Sequence, residues 1–207
     1  MRRNTNSRVS GSLTAVILTA VLVTACDVHG VSDPGTLATI TVAPTTMIPA
    51  ATMQQMIAIG RDADGRIIPI TPTWAVTAGG GTITEAGMFT AGTEPGPFPL
   101  TIVARVGVVS GSASISITPG ALAFIDIVPG PVTVTTTSTQ LFAAVGRDTW
   151  GNVLPFTPTW SIVAGGGAIN QDGSFTAGGI AGSYPNTVQA SHEGIRGFAT
   201  VTVTILP

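Results

Sequence analysis

The sequence is poor in charge, in aromatic rings and in cysteine, and it contains no lysine. Among 207 residues, charged residues make up 9% and aromatic residues 5%, and there is one cysteine. A single cysteine excludes an intrachain disulfide framework, so the fold depends on packed apolar side chains. The eight basic residues are all arginines and are outnumbered by ten acidic residues. Because nucleic-acid binding needs a basic face that neutralises phosphates, we exclude nucleic acid as a partner.

The first apolar run of the sequence is too short to span a bilayer comfortably. It covers residues 13–24 after Arg2, Arg3 and Arg8, whereas a spanning helix needs roughly 20 residues. A basic segment, a short apolar segment and small residues before a cleavage site are typical of a secretory signal peptide. We therefore predict a cleaved signal peptide at residues 1–25. Its removal leaves five arginines and a formal charge of −5.

The only cysteine, Cys26, lies at the predicted cleavage site. The segment Val23-Thr24-Ala25-Cys26 resembles the lipobox of bacterial lipoproteins. This resemblance implies that Cys26 carries the lipid and that the membrane is a partner, with the choice of membrane and of its face left open. Residues 26–36 have no periodic pattern and predict a tether of roughly 35 Å at full extension, at about 3.5 Å per residue. Such a tether holds the following domain close to the membrane.

Glycine, threonine, valine and proline are abundant, and they are arranged in a repeat. Gly60-Arg61-Asp62 recurs as Gly146-Arg147-Asp148, and the motifs within residues 71–92 recur within residues 157–178 at an offset of 86. β-Branched residues favour strands, while glycine and proline favour turns between them. The repeat predicts two domains of one fold at residues 37–119 and 120–207.

Each repeat alternates apolar and polar residues over short segments that end at turn residues. In the first repeat we predict strands around Ile40 and Val42 and at residues 54–59, 73–76, 82–84, 88–90, 100–105 and 112–118. Pro69, in the connection after the second strand, argues against a central strand there. About seven short strands per repeat, without helical periodicity, predict an all-β fold of two tandem immunoglobulin-like Greek-key sandwiches.

Several motifs resemble bacterial immunoglobulin-like domains of the group 2 type, as found in intimin- and invasin-like adhesins. They are a mid-domain tryptophan, a Gly-Gly-x-Ile turn, an x-Gly-x-Phe-Thr-Ala-Gly segment and a Thr-Val-Thr-Val ending. The resemblance implies that Trp74 and Trp160 lie in the core, and we place Phe89 and Phe175 there as well. It also implies a spacer, an adhesive module or a carbohydrate-associated module without catalysis or cofactor. Such motifs are specific for fold and uninformative about ligand.

The turn Asp62-Ala63-Asp64-Gly65 has two carboxylates at the spacing with which calcium loops begin. Calcium takes six to eight oxygen ligands, and the second copy keeps only Asp148 because Trp150 replaces the second aspartate. An Asp-rich β-turn accounts for both copies, since aspartate caps its own turn and glycine accepts positive φ. We favour the turn and keep Asp62 and Asp64 as weak candidates for a cation site.

Ser191-His192-Glu193 places a nucleophile, a base and an acid side by side. Adjacent residues of a strand point to opposite faces, so these three side chains do not converge as a catalytic triad. A polar segment at a hairpin explains them better. We predict that the protein is not an enzyme.

Trp150 and Tyr184 are the aromatic residues that the fold does not obviously need. Trp150 lies at a turn, and Tyr184 lies in a Gly-x-aromatic-Pro loop. Exposed aromatic rings are favoured at binding surfaces, so both are candidate ligand contacts. The alternatives are packing between the two domains and packing over a sheet edge.

The sequence therefore predicts a lipid-anchored, non-catalytic envelope protein that binds or scaffolds through two immunoglobulin-like domains. A carbohydrate-binding module that uses Trp150 and Tyr184 is the alternative, and a protein or a glycan is the expected ligand. Oligomeric state and the identity of the ligand stay open.

Overall fold

The structure is a computed structural model that describes residues 35–205, which contain only strands and loops. Within that range no helix has the length and hydrophobicity that a membrane crossing requires. The predicted signal peptide, Cys26 and nearly all of the predicted tether lie outside the described residues.

The first repeat contains ten strands. They are β1 (Thr39–Ala43), β2 (Thr46–Pro49), β3 (Met53–Gln55), β4 (Ile57–Arg61), β5 (Ile67–Ile68), β6 (Thr73–Val76), β7 (Gly81–Ile83), β8 (Met88–Ala91), β9 (Gly96–Val106) and β10 (Val109–Thr118).

The second repeat contains ten equivalent strands in the same order. They are β11 (Phe124–Val128), β12 (Val132–Thr135), β13 (Thr139–Leu141), β14 (Ala143–Arg147), β15 (Val153–Leu154), β16 (Thr159–Ile162), β17 (Gly167–Ile169), β18 (Ser174–Ala177), β19 (Gly182–His192) and β20 (Ile195–Thr204).

Each repeat builds two layers from these strands. One layer is a four-stranded sheet in the order β2-β10-β9-β6, with β2 parallel to β10. The other layer consists of two three-stranded sheets, β1-β4-β5 and β3-β8-β7. The second repeat has the same three sheets, β12-β20-β19-β16, β11-β14-β15 and β13-β18-β17. This pairing is that of an immunoglobulin-like sandwich, so the predicted all-β fold class is confirmed.

The predicted strand at residues 54–59 is wrong, because the chain breaks there into β3 and β4. The break falls at Met56, which is 1% exposed and donates its N–H to the carbonyl of Gly87 at 2.8 Å. β3 then pairs with β8, whereas β4 pairs with β1. Phe142 makes the same break in the second repeat and donates to Gly173 at 2.9 Å. A buried side chain at the switch point therefore divides one strand between two sheets.

Two further strands, β2 and β5, were not predicted from the sequence. β2 carries one buried residue, Ile48, between two exposed residues, which is too short a pattern to distinguish from a loop. β5 lies in the proline-containing connection and pairs with only two residues at the end of β4. Both are edge strands, where proline and short length are tolerated.

Each repeat has its own hydrophobic cluster between its layers. In the first repeat Phe89, Ile102 and Ala104 are fully buried at its centre. In the second repeat Phe175 is fully buried and makes an edge-to-face contact with Phe142 at 6.0 Å between ring centroids. The β-branched and aromatic residues that alternate along the strands supply these inward-facing side chains.

Candidate binding surfaces

The aspartate of each Gly-Arg-Asp motif is buried and holds the backbone of its own turn. Asp148 is fully buried, and its Oδ1 accepts the backbone N–H groups of Trp150 and Asn152, each at 2.9 Å. Its Oδ2 accepts the backbone N–H of Gly120 at 2.9 Å and the Asn152 side-chain amide at 2.8 Å. Gly120 belongs to the segment that precedes β11, so Asp148 fixes the turn and that segment together.

Asp62 does the same in the first repeat. Its Oδ1 accepts the N–H groups of Asp64 and Arg66 at 3.0 and 2.8 Å, and its Oδ2 accepts the N–H of Gly35 at 3.0 Å. The side chain of Asp64 is instead paired with the Arg66 guanidinium at 2.7 Å. Both oxygens of Asp62 thus already face N–H donors, and a cation beside the pair would meet the guanidinium.

Residues 35–205 contain no group of three or more histidine, cysteine, aspartate or glutamate side chains placed to hold a metal ion. The weak cation candidates Asp62 and Asp64 instead both lie near the Arg66 guanidinium, which is 3.6 Å from Asp62 Oδ2 and 2.7 Å from Asp64 Oδ2. Their geometry is that of a capped turn in which aspartate accepts local backbone N–H groups.

The hydrogen bonds lower the pKa of both buried aspartates below the ordinary value of 3.8. For Asp62 the N–H of Gly35 is the largest cause. For Asp148 burial raises the pKa, but the combined donation from Asn152, Gly120 and Trp150 outweighs it and the pKa falls. Hydrogen bonds of this kind favour the charged carboxylate.

The free energy of unfolding should accordingly depend on pH in the acid range. A carboxyl whose folded pKa is depressed stabilises the fold fully above its unfolded pKa, and this contribution is lost as pH falls through the folded value. We expect the urea midpoint of unfolding to be constant above about pH 5 and to fall towards about pH 2. A variant with Asp62→Asn and Asp148→Asn should show a flatter profile over that range. The same slope in the double variant would show that other groups cause the acid sensitivity.

Trp150 lies at the turn beside the segment between the repeats. Trp150 is 47% exposed. Its ring packs against Gly120, and a Cβ added to Gly120 would lie 2.7 Å from the ring. Two residues further on, the Asn152 amide donates to the carbonyl of Thr93, in the first repeat, at 2.7 Å. Trp150 and Asn152 replace Asp64 and Arg66 of the first repeat. These contacts favour packing at the junction as the role of Trp150, with half of the residue still accessible.

Tyr184 is half-buried and packs against the glycine turn of its own repeat. A Cβ at Gly166 would lie 2.6 Å from its ring, and its hydroxyl donates to the carbonyl of Ile180 at 3.0 Å. One face of the ring is thus covered by backbone. The ring pairs of residues 35–205 do not include Trp150 with Tyr184, so the two aromatic candidates are not brought together.

The residues of the Ser-His-Glu segment have separate partners. The Ser191 hydroxyl donates to the carbonyl of Thr159 at 3.3 Å. The Nδ1 of His192 lies 2.9 Å from the carbonyl of Thr157, and its ring packs on Phe156 with 5.6 Å between centroids. Glu193 has a φ of 44° in the hairpin turn. The three groups therefore serve the hairpin and its neighbouring strand.

The predicted core tryptophans differ in their degree of burial. Trp160 is 4% exposed, and the side chain of Gln171 bonds to its backbone N–H and carbonyl at 3.1 and 2.9 Å. Trp74 is partly buried and packs against the edge of the first cluster.

The structure shows one surface that the sequence reasoning missed, an open apolar groove of about 740 Å³ on the outer face of the first repeat. Met47, Ser116 and Pro97 form one cross-strand row at its floor, because Ser116 pairs with both neighbours. Pro99 and Ser114 lie beside this row. We call this surface the Met47 groove.

The second repeat places polar residues at the equivalent positions. Its row is Thr133, Thr202 and Ser183 in the same cross-strand register. Met47 and Pro97 correspond to Thr133 and Ser183 of the second repeat, but only the strand register shows that these positions form one row. The same fold tolerates both sets, so folding does not require the apolar one.

Leu100, next to Pro99, has an unfavourable backbone conformation. Its φ is 50°, it is 62% exposed, and it donates its N–H to the Ser114 hydroxyl at 2.9 Å. Asn186 occupies the equivalent position with a φ of 52° and donates to Thr200 at 3.1 Å. Asparagine adopts the left-handed region readily, whereas leucine does so at a cost.

Replacing Leu100 with asparagine should therefore stabilise the protein. We expect the free energy of unfolding to rise by about 1 kcal/mol, which is the order of the left-handed penalty for a residue with a Cβ. Urea unfolding of Leu100→Asn measures this change, and Leu100→Ala is the control that removes the side chain and keeps the penalty. Equal stability of both variants would show that Leu100 is not strained.

The fold of each repeat is immunoglobulin-like. Each repeat also has one buried aspartate, Asp62 or Asp148, that holds the backbone of its own turn. No family model matches the sequence, and no curated relative matches it either. Solved structures do match in fold. The adhesin FdeC of Escherichia coli is 20% identical with a TM-score of 0.49, and the match covers 84% of this chain and 66% of that structure.

Two further structures are more distant in sequence. Drosophila N-cadherin EC1-4 is 12% identical with a TM-score of 0.48, covering 83% of this chain and 50% of that one. The S-layer protein SbsC is 12% identical with a TM-score of 0.41, covering 83% and 28%. The chain thus spans two thirds or less of each structure, and at these identities the likeness concerns the fold alone.

Proposed function

We propose that this protein is a non-catalytic binding or scaffolding protein of the bacterial cell envelope, anchored by a lipid on Cys26. The observation that carries the proposal is the order of its parts, a lipobox-like segment followed by a short tether and two immunoglobulin-like repeats. Lipids on one cysteine hold a protein firmly when several acyl chains act together. The repeats then present their outer faces close to that membrane.

The chemistry of the repeats supports a binding role over catalysis. The two buried carboxylates, Asp62 and Asp148, already accept hydrogen bonds from backbone N–H groups. The Ser191-His192-Glu193 segment serves a hairpin. What the first repeat offers instead is an accessible apolar groove, and exposed apolar patches mark interaction sites.

Metabolic labelling with a palmitate analogue tests the anchor. The wild-type chain should incorporate the label, and Cys26→Ala should not, because no other cysteine is present. Cys26→Ser is a matched control that preserves side-chain size. Labelling that persists in both variants would refute the lipid anchor.

Protease treatment of intact cells then decides the side on which the repeats lie. Digestion by added protease would favour an extracellular ligand and an adhesive role. Protection until the envelope is opened would favour a periplasmic partner and would contradict adhesion.

A carbohydrate-binding role is the second candidate, favoured by the half-exposed ring of Trp150. Aromatic rings stack on the apolar faces of sugars, and such anchors dominate binding energy. Glycan-array binding that disappears in Trp150→Ala and persists in Tyr184→Phe would support this role. The absence of saturable glycan binding would refute this role, and packing against Gly120 would then be the remaining role of Trp150.

A further inference from the structure

We infer that the side chain of Asn152 fixes the orientation of the second repeat relative to the first, so that the two repeats move as one body. Domains joined by a small interface move relative to each other by default, and a fixed orientation therefore needs specific contacts at the junction. The Asn152 amide has two acceptors, the carbonyl of Thr93 in the first repeat and the carboxylate of Asp148 in the second. We call these three groups the Asn152 bridge. The bridge belongs to the repeats alone and does not depend on a lipid anchor.

The amide of Asn152 makes one hydrogen bond to each repeat. Its Nδ2 atom donates to the Thr93 carbonyl at 2.7 Å and to Oδ2 of Asp148 at 2.8 Å. A side-chain amide has two N–H donors on one nitrogen, so both bonds form at once. Because Asp148 is fully buried and also accepts three backbone N–H groups, its carboxylate is held in one place. The amide is thereby oriented, and its second hydrogen faces the first repeat.

The segment between the repeats is short, and most of it is held. β10 ends at Thr118, and the N–H of Ala123 already donates to a carbonyl of β14 at 2.8 Å. Between these two residues, Gly120 donates its N–H to Asp148 at 2.9 Å. Pro119 lies directly before Gly120, and its ring fixes φ at about −65°. Few backbone torsions therefore remain about which the repeats could rotate.

The ring of Trp150 covers this segment. It packs against Gly120, where an added Cβ would lie 2.7 Å from the ring. The glycine allows the ring to approach the backbone closely, and the ring in turn restricts rotation of the backbone there. Trp150 and Asn152 lie on one turn, and Asp148 accepts the backbone N–H groups of both. The aromatic ring and the amide therefore contact the junction from a single turn that is itself held.

The first repeat has the same buried aspartate but neither the aromatic ring nor the amide. Asp64 stands where the second repeat has Trp150, and Arg66 takes the next equivalent position, that of Asn152. The Arg66 guanidinium lies 2.7 Å from Asp64 and 3.6 Å from Asp62, within its own turn. The same turn therefore folds without an aromatic ring or an amide. We accordingly assign these two groups of the second repeat to the junction.

The test is double electron–electron resonance on the full chain, which measures the distribution of distances between two spin labels. One label is attached to each repeat through Val108→Cys and Leu141→Cys, at positions that are 91% and 65% exposed. Cys26→Ser in the same chain removes the only native cysteine, so that the two introduced positions alone take the label. We expect one narrow distance distribution for this labelled chain.

Asn152→Leu keeps the approximate size of the side chain and removes both of its hydrogen bonds. We expect a second, broad population of distances, because the loss of one net hydrogen bond lowers the ratio of the fixed orientation to all others by about two- to tenfold. Arg66→Leu, at the equivalent position of the first repeat, is the matched control and should leave the distribution unchanged. A label pair within the second repeat, Leu141→Cys with Ile180→Cys, shows whether that repeat stays folded.

Three results would overturn the inference. The first is a broad distribution between the repeats while Asn152 is still present. The second is a distribution that stays the same in Asn152→Leu. The third is broadening in Asn152→Leu that also appears in the label pair within the second repeat, because it would assign Asn152 to the stability of its own repeat.

Discussion

Replacing Trp160 with alanine is expected to unfold the second repeat at temperatures where the wild type is folded. Trp160 is 4% exposed within the second cluster, so the substitution removes buried contacts and leaves a cavity. Truncation of a buried tryptophan costs roughly 3–5 kcal/mol, which lowers the melting temperature of a domain this small by at least about 12 °C. Hydrogen exchange measured by mass spectrometry should show the loss of protection in residues 122–204 specifically.

Trp150→Ala is the matched control for this prediction, because it makes the same substitution at a half-exposed position. It should change the exchange of the second cluster little. Trp74→Ala should be intermediate in the first repeat, since Trp74 is only partly buried. An unchanged melting curve for Trp160→Ala would remove that residue from the core.

Replacing Asp148 with alanine is expected to have the next largest effect. The substitution leaves three backbone N–H groups without their acceptor, those of Gly120, Trp150 and Asn152. These bonds are part-buried, and a donor shielded from water that loses its acceptor is costlier than a hydrogen bond that is absent in both states. We expect a lower melting temperature together with faster amide exchange at Gly120 and at the turn.

Asp64→Ala is the control, because Asp64 is exposed and loses only a surface ion pair with Arg66. Such pairs contribute about 0–1 kcal/mol, so melting should be nearly unchanged. If Asp148→Ala melts like Asp64→Ala and Gly120 remains protected, the hydrogen bonds of Asp148 do not hold the segment between the repeats.

The buried aspartates show what the sequence allowed us to predict and what it did not. The Asp-Gly turn was predicted from local chemistry, because the turn is formed by neighbouring residues. The bonds to Gly35 and Gly120 link positions 27 and 28 residues apart, and no local pattern indicates them. The repeated Gly-Arg-Asp motif was visible in the sequence. The long-range hydrogen bonds that its aspartate makes in the folded chain were not.

The same limit explains the errors in the strands. The immunoglobulin-like class followed from periodic short strands, and the structure confirms it. The break at Met56 was not predictable. The alternation of apolar and polar residues is the same whether a buried methionine lies within a strand or between two strands of different sheets. The Met47 groove depends on register, which brings Met47, Ser116 and Pro97 into one row from three separate segments.

The two repeats differ at the turn that follows Gly-Arg-Asp and on the outer face of the four-stranded sheet. Trp150 and Asn152 adapt the turn of the second repeat to the preceding repeat. The first repeat has Asp64 and Arg66 at those positions, paired with each other. Its apolar groove instead lies on the outer face of a sheet, where it is open to solvent.

The proposed anchoring of the repeats at a membrane through Cys26 can be tested by fractionation of cells that express the wild type or Cys26→Ala. We expect the wild-type chain to sediment with membranes and to stay there in high salt, and Cys26→Ala to be released into the soluble fraction with its repeats folded. Wild type and variant in the same fraction would contradict a lipid anchor on Cys26, because Cys26 would then not determine where the repeats lie.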